Sequence, residues 1–284
     1  MVQPVSTVAR GPSCGHAVSS RVTAAFERAA AEGRSALVGY VPAGFPSVPG
    51  AIEAALAMAD AGADILEIGL PYSDPLIDGP VIQEAVHQAL VSGTTVADVL
   101  ATVAALAAAG VPTLIMTYWN PIEQHGVSRF AADLAMAGGS GLITPDLTPE
   151  EAGPWLTAAA EQRLDPVFLV APSSSDQRIE LITSACGGFV YAASLMGVTG
   201  AREAVSSQAS ALVSRIREHT RLPVAVGLGV SNGTQAAQVA GFADGVIVGS
   251  AFVHRLLTAD SPQAGLAAVR ALAAELADGV RSGR

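Results

Sequence analysis

Lysine is missing altogether: all 15 basic residues of the 284-residue chain are arginines. Every mechanism that passes through a lysine Schiff base is therefore closed, including lysine-dependent aldol cleavage and covalent attachment of pyridoxal phosphate. Cysteine is nearly as scarce. Cys14 and Cys186 stand alone, without CxxC or metal-ligand spacing, so neither is expected to be catalytic and a reduced, cytoplasmic setting is expected. The histidines, His16, His87, His125, His219 and His254, all fall away from the strand ends, so no metal site is expected. Positive charge is outweighed, since 25 acidic residues against 15 basic ones leave a net charge of −10. That balance argues against a nucleic acid or an anionic membrane surface as partner.

Uninterrupted hydrophobic stretches of spanning length are lacking too. The longest uncharged run, Val99 to Pro121, begins with weakly apolar alanines, and Gly110-Val111-Pro112 supplies helix-ending chemistry before the strand-like Thr113 to Thr117. It reads as helix, turn and strand. Residues 1 to 20 carry Arg10 but no acidic residue, and they lack the continuous apolar segment of a secretory signal; a disordered extension is expected there.

What the chain does have is a hydrophobic half, enough to bury a full core either as one α/β barrel or as two smaller domains. Repetition decides between these. Eight short apolar segments, Ala36 to Val41, Asp64 to Leu70, Thr113 to Thr117, Gly141 to Thr144, Pro166 to Val170, Gly188 to Ala192, Pro223 to Gly227 and Asp244 to Val248, each follow a helical, often alanine-rich segment and a turn. Helical patterns fill the intervals, for example Val48 to Ala61, Val81 to Val91, Glu150 to Glu161, Ser207 to Glu218 and Leu266 to Leu276. The expected fold is a single (β/α)₈ barrel over residues 21 to 284. Extra helical material is expected near the amino terminus (Val22 to Ala31) and after the second strand, where two helices flank Ser92-Gly93-Thr94.

Within this pattern the segment from Glu67 to Pro80, Glu-Ile-Gly-Leu-Pro-Tyr-Ser-Asp-Pro-Leu-Ile-Asp-Gly-Pro, stands out. Side chains alternate along a strand, so Leu66, Ile68 and Leu70 share one face and Glu67 lies between Ile65 and Gly69 on the other. A buried Glu paired with an Arg is the plain alternative, but no Arg falls within any of the apolar strand segments. Asp78 follows eleven residues later in a loop bounded by Pro and Gly. Active sites of barrels lie where strands run into their following loops, and both carboxylates map there.

Three glycine-containing segments follow the last three strands: Met196-Gly197-Val198-Thr199-Gly200, Gly227-Leu228-Gly229 and Gly249-Ser250. Glycine permits close backbone approach, and a helix opened by Ser250 aims free N–H groups and the positive end of its dipole at an anion, so the three together point to a phosphate. Each alone is equally a strand-end turn or a plain helix cap. Tyr40, Tyr118 and Tyr191 sit near strand ends, and Ile82, Ile143 and Leu228 are candidate apolar walls of the pocket. Asn120 and Asp146 also fall in loops at that end, as candidates either for function or for ordinary turns.

These residues resemble those of one family, the α subunit of tryptophan synthase. The matching blocks are EIGLPYSDPLIDGP at 67 to 80, TYWNP at 117 to 121, SLMGVTGA at 194 to 201, GLGVS at 227 to 231 and VIVGSAFV at 246 to 253, within a layout spanning roughly residues 21 to 280. The resemblance implies retro-aldol cleavage of indole-3-glycerol phosphate to indole and glyceraldehyde 3-phosphate, in the last steps of tryptophan biosynthesis. It casts Glu67 as the group that moves protons between the glycerol hydroxyl and the indole carbon, and Asp78 as the acceptor for the indole N–H. It further implies that Thr199 helps to order Asp78, that Gly200, Gly229, Gly249 and Ser250 hold phosphate, and that Tyr191 lines the glycerol side. No cofactor is implied in this chain; pyridoxal phosphate is expected only in a β subunit, met through the second and third loops (Asp74, Pro75, Asn120, Pro121) in an α2β2 tetramer. Two positions depart from the commonest pattern: Ile77 stands where a smaller Ala is frequent, and Leu195 where some members have Arg.

Rival readings remain at this point. Indole-3-glycerol-phosphate synthase relies on lysine, and ribulose-phosphate epimerases need metal-binding histidines at strand ends, so the composition opposes both. A stand-alone lyase that releases free indole fits the same residues. A catalytically weak regulatory subunit is opposed by the presence of both Glu67 and Asp78.

Overall fold

The computed structural model describes residues 20–193 and 202–283. Nine short strands, all parallel where paired, make one sheet: β1 (Ala36–Pro42), β2 (Ile65–Gly69), β3 (Thr113–Met116), β4 (Gly141–Ile143), β5 (Asp165–Val167), β6 (Leu169–Val170), β7 (Val190–Ala193), β8 (Val224–Gly227) and β9 (Gly245–Val248). Their order is β5-β4-β3-β2-β1-β9-β8-β7-β6. Because β5 and β6 are separated only by Phe168, the chain itself joins the two edges and the sheet closes into the expected (β/α)₈ barrel. The fifth strand, expected as one piece from Pro166, is thus divided. Its first half pairs with β4 and its second with β7, the stagger that closing a tilted sheet requires.

Alternation along the strands sorts side chains into two cores. Facing outward, Leu37, Val41, Leu66, Ile68 and Val226 pack against the ring of helices. Facing inward, Val38, Ile65, Leu114, Ile143, Val167, Phe189, Ala225 and Ile247 fill the barrel. The helix Arg21–Ala31 closes the amino-terminal end of that interior with Val22, Ala25, Phe26 and Ala29, which is the structural use of the extra amino-terminal helix. After β2 the two expected helices are present as Pro80–Val91 and Val96–Ala108. Pro80 occupies the first turn, where a missing N–H costs nothing, and Thr95 caps the second helix in a reciprocal capping box with Asp98.

Some helix boundaries move. The helix expected from Glu150 begins at Gly153, with Pro154 in its first turn, and the last two expected helices lengthen to Arg202–His219 and Pro262–Ser282. Asn120 and Pro121, expected in a loop, lie in the helix Trp119–His125, whose Trp119 N–H donates to the Asp146 carboxylate at 2.9 and 3.1 Å. That cap comes from 27 residues downstream, so no local signal announces it. Among the described residues no single helix is long and apolar enough to cross a membrane.

Candidate active site

At the carboxyl-terminal end of the strands a cavity of about 410 Å³ opens between β2, β7, β8, β9 and the loop after β2. Of the expected residues, Tyr40, Glu67, Asp78, Ile82, Tyr191, Gly229, Gly249 and Ser250 line it. Glu67 sits on β2 opposite Tyr40 of β1 and Leu114 of β3, pointing inward as the alternation requires. It is 1% exposed, and its Oε1 has no hydrogen-bond partner. Burial alone pushes its pKa up to about 8, so the alternative of a glutamate neutralised by an arginine does not describe this residue. Near neutral pH the buried group is held mostly as the acid.

Asp78 is placed by the turn that precedes the helix Pro80–Val91. Its backbone N–H donates to the Pro75 carbonyl at 3.2 Å, and the Gln83 side chain donates to the carbonyls of Asp78 and Pro75. The Tyr118 hydroxyl holds the loop from the inside: it accepts from the Ile77 N–H at 2.9 Å and donates to Asp78 Oδ2 at 3.3 Å. Desolvation raises the Asp78 carboxyl above its ordinary value, and the Tyr118 hydrogen bond pulls part of the way back. The two carboxylates therefore occupy different environments, one dry and unpartnered, the other half-buried and hydrogen-bonded. Such a pair suits an acid beside an ionised partner.

Opposite these groups the cavity wall is backbone. Gly229 has φ +69°, a conformation that favours glycine, and Gly249 caps the helix Ser250–Leu257 without any side-chain hydrogen bond. Gly249 and Ser250 both line the cavity, so the start of that helix, whose first N–H groups have no intrahelical partner, lies at its wall. Small residues also make room for the two cavity tyrosines: a Cβ on Gly69 would meet the Tyr40 hydroxyl at 2.3 Å, and one on Gly227 would meet that of Tyr191 at 2.6 Å.

Three expected wall residues lie elsewhere. Tyr118 lines a small adjoining pocket with Tyr72, Leu70 and Asp78; Ile143 is fully buried in the barrel interior; Leu228 packs in the outer core. Thr199, Gly200 and Leu195 lie outside the described residues. Conversely Ile77, Met116, Leu169, Ala193 and Ile247 line the cavity without having been singled out as site residues, while Gly227 lines it as one of the expected glycine segments. Alternation carries the signal for two of them: Met116 follows inward Leu114 by two, and Leu169 follows Val167. Asp146 proves to be a helix cap, and the Asn120 amide donates to the Tyr72 hydroxyl at 3.3 Å.

A larger cavity, about 730 Å³, lies at the amino-terminal end of the barrel, where Arg34 and Arg217, two of the three arginines that line it, are committed to Asp64 and Asp244. The described residues include no group of His, Cys, Asp and Glu able to hold a metal ion.

The family model for the tryptophan synthase alpha chain matches residues 26–281. The chain belongs to that family. It is 60% identical over 263 residues to the tryptophan synthase alpha chain of Salinispora arenicola, covering 93% of this chain and 98% of the relative. To that of Streptomyces avermitilis it is 61% identical over 256 residues, 90% of this chain and 92% of the relative. Among solved structures it is similar to Mycobacterium tuberculosis tryptophan synthase, with 52% identity, a TM-score of 0.86, and coverage of 93% of this chain and 99% of that one. The alpha chain from Legionella pneumophila, at 32% identity, still gives a TM-score of 0.84. The function that belongs to the family is the α reaction of tryptophan biosynthesis, cleavage of indole-3-glycerol phosphate, and the enzyme class is a lyase.

Proposed function

We propose that Glu67 and Asp78 carry out the α reaction in this chain, with indole-3-glycerol phosphate anchored by its phosphate at Gly229, Gly249 and Ser250 and its indole ring turned toward Asp78. The observation that carries this reading is the contrast between the carboxylates at one cavity. Buried Glu67, held as the acid, gives its proton to the indole carbon that bears the glycerol chain. Ionised Asp78 balances the positive charge that this places on the ring nitrogen. The Glu67 carboxylate then takes the proton of the adjacent glycerol hydroxyl as the carbon–carbon bond breaks, so that indole regains its aromaticity and the hydroxyl becomes the aldehyde of glyceraldehyde 3-phosphate. One proton has moved from oxygen to carbon, and Glu67 is an acid again. No lysine, metal or cofactor enters these steps, and pyridoxal phosphate belongs to the β subunit.

The remaining assignments support the same reading. Tyr191 faces the glycerol portion, Ile82 and Tyr40 flank the ring, and Tyr118 acts through Asp78; Ile143 and Leu228 stand behind the lining. By resemblance to the family, Thr199 orders Asp78 and Gly200 holds phosphate, and the chain from residue 21 onward belongs to one barrel domain. The natural partner is the pyridoxal-phosphate-dependent β subunit in an α2β2 assembly, in a cytoplasmic setting that suits two unpaired cysteines. Incubation with indole-3-glycerol phosphate, with and without a cognate β subunit, while following indole, tests substrate, reaction and coupling together. Absence of indole under both conditions overturns the reading.

A further inference from the structure

The cavity holds a phenol with no partner. Tyr40 is only 6% exposed, and among the described residues no protein group hydrogen-bonds its hydroxyl. Buried hydroxyls are nearly always paired, so one that faces a ligand cavity marks a place where a ligand atom completes the bond. The position of that atom follows from the neighbours. Tyr40 lies on β1 between β9 and β2: its Cβ, Cγ and Cδ1 rest against Gly249, and its hydroxyl reaches over Gly69. The ring thus runs from the proposed phosphate end to the end of β2, where Gly69 stands two residues beyond Glu67 on the same face. Tyr40 lines both the main cavity and the small pocket beside Asp78, so its side chain stands where the two adjoin. In the proposed reaction the bond that breaks lies between the two carboxylates, because one serves the ring nitrogen and the other the glycerol hydroxyl.

We propose that Tyr40 is a further catalytic residue: its hydroxyl donates a hydrogen bond to the substrate oxygen from which Glu67 withdraws the proton. This rests on the reading of the site given above. As the carbon–carbon bond breaks, that oxygen gives up its proton to Glu67 and carries partial negative charge until the carbonyl is formed. The phenol keeps its own proton throughout and supplies the positive end of a dipole at that moment, as an oxyanion-hole donor does. In the condensation direction the same contact polarises the aldehyde carbonyl toward attack by the indole carbon. The groups that face the phenol are Glu67 from β2, Asp78 from the following loop, Tyr118 after β3 and Tyr191 from β7, none of them cationic. Burial and those two carboxylates hold its ionisation well above the usual phenol value, so it is a donor over the whole working range.

Tyr40→Phe removes the donor and keeps the ring between Gly249 and Gly69. We expect kcat to fall about 10- to 100-fold, the loss that goes with one hydrogen bond to a developing charge, in both cleavage and condensation. KM and the affinity for glycerol 3-phosphate should stay within a few-fold, since phosphate anchoring is untouched. A kcat within two-fold of wild type, or a loss confined to KM, overturns the proposal. Wild-type turnover of indole-3-glycerol phosphate and its loss in Glu67→Gln are measured alongside and report on the underlying reading whatever Tyr40→Phe does. If the phenylalanine variant fails to fold, a ring-fluorinated tyrosine at position 40 keeps the shape and makes the hydroxyl more acidic. As a stronger hydrogen-bond donor it should then raise kcat at neutral pH with KM unchanged; an unchanged kcat overturns the proposal equally.

Discussion

Glu67 shows how one residue's burial fixes both its chemistry and its cost. Only the environment raises its pKa to about 8, so at neutral pH it begins the cycle protonated, as the proposed first step demands. We expect Glu67→Gln to lower cleavage by about 10²- to 10⁴-fold, while glycerol 3-phosphate binds as before. Steady-state kinetics with a parallel binding titration decide it. The pH profile of kcat/KM should be bell-shaped, falling on the alkaline side near pH 8 as Glu67 loses its proton, and on the acid side as Asp78 gains one. Tyr118→Phe removes the hydrogen bond that partly lowers the Asp78 pKa, so it should move the acid limb to higher pH and leave the alkaline limb in place. Stability follows the same linkage. The folded pKa of Glu67 lies above the ordinary glutamate value of 4.5, so its burial costs nothing below that pH, weighs increasingly up to about pH 8 and then levels off. Glu67→Gln should therefore raise the melting temperature relative to wild type more at pH 9 than at pH 5, a pair of about equal-effort scans.

At the scale of elements, the strands were legible because their period is two and their surroundings apolar. The sequence of β2 alone orients Glu67 inward, and the structure agrees at each of its residues. What stayed hidden depends on contacts between distant segments. The division of the fifth strand follows from closure of the ring, and the helix Trp119–His125 is capped by Asp146 from another loop. Site residues show the same boundary. Met116 and Leu169 are recoverable by carrying alternation one step past each strand's apolar core, whereas Ile77 lines the cavity because Tyr118 pins its N–H, a bond across 41 residues. The loop after β2 also has an outer side. Leu76 is 90% exposed and Ile77 54%, beside an Asp78 turned inward. Apolar side chains so exposed on a structured loop suit a protein partner. Leu76→Ser should weaken association with the β subunit by about tenfold or more. Calorimetric titration of β into both proteins measures it; equal affinities would place the contact elsewhere.

Across the whole molecule, the two ends of the barrel divide stability from chemistry. At the amino-terminal end Asp64 receives two nitrogens of Arg34 at 2.7 and 2.8 Å and the Leu37 N–H at 2.9 Å, while Asp244 receives Arg217 and the Val224 N–H, so each clamp ties the start of one strand to its neighbour. Removing Asp64 leaves the nearly buried Arg34 without its main partner, and Asp64→Ala should cost about 3 kcal/mol of stability with turnover at low temperature unchanged. Denaturant melts beside activity assays check both halves.

The carboxyl-terminal end behaves differently, because one loop is at once the wall of the cavity and the surface proposed for the β subunit. A partner that holds the outer side of residues 74 to 77 constrains the position of Asp78, three bonds of main chain away from Ile77 and already coupled to it through Tyr118. Binding β and binding a ligand against Asp78 are then linked equilibria, and linkage is reciprocal: whatever factor β adds to the ligand's affinity, the ligand adds to β's. We expect a non-cleavable indole glycerol-phosphate analogue to tighten β association by about 5- to 100-fold, with the same factor appearing when ligand affinity is measured with and without β. Tyr118→Phe, which cuts the tie between the loop's main chain and the carboxylate, should reduce both factors together. Calorimetry of the four binding steps gives each number directly. Two unchanged affinities, with cleavage indifferent to β, would leave an alpha chain that works alone and a loop whose outer and inner faces are independent.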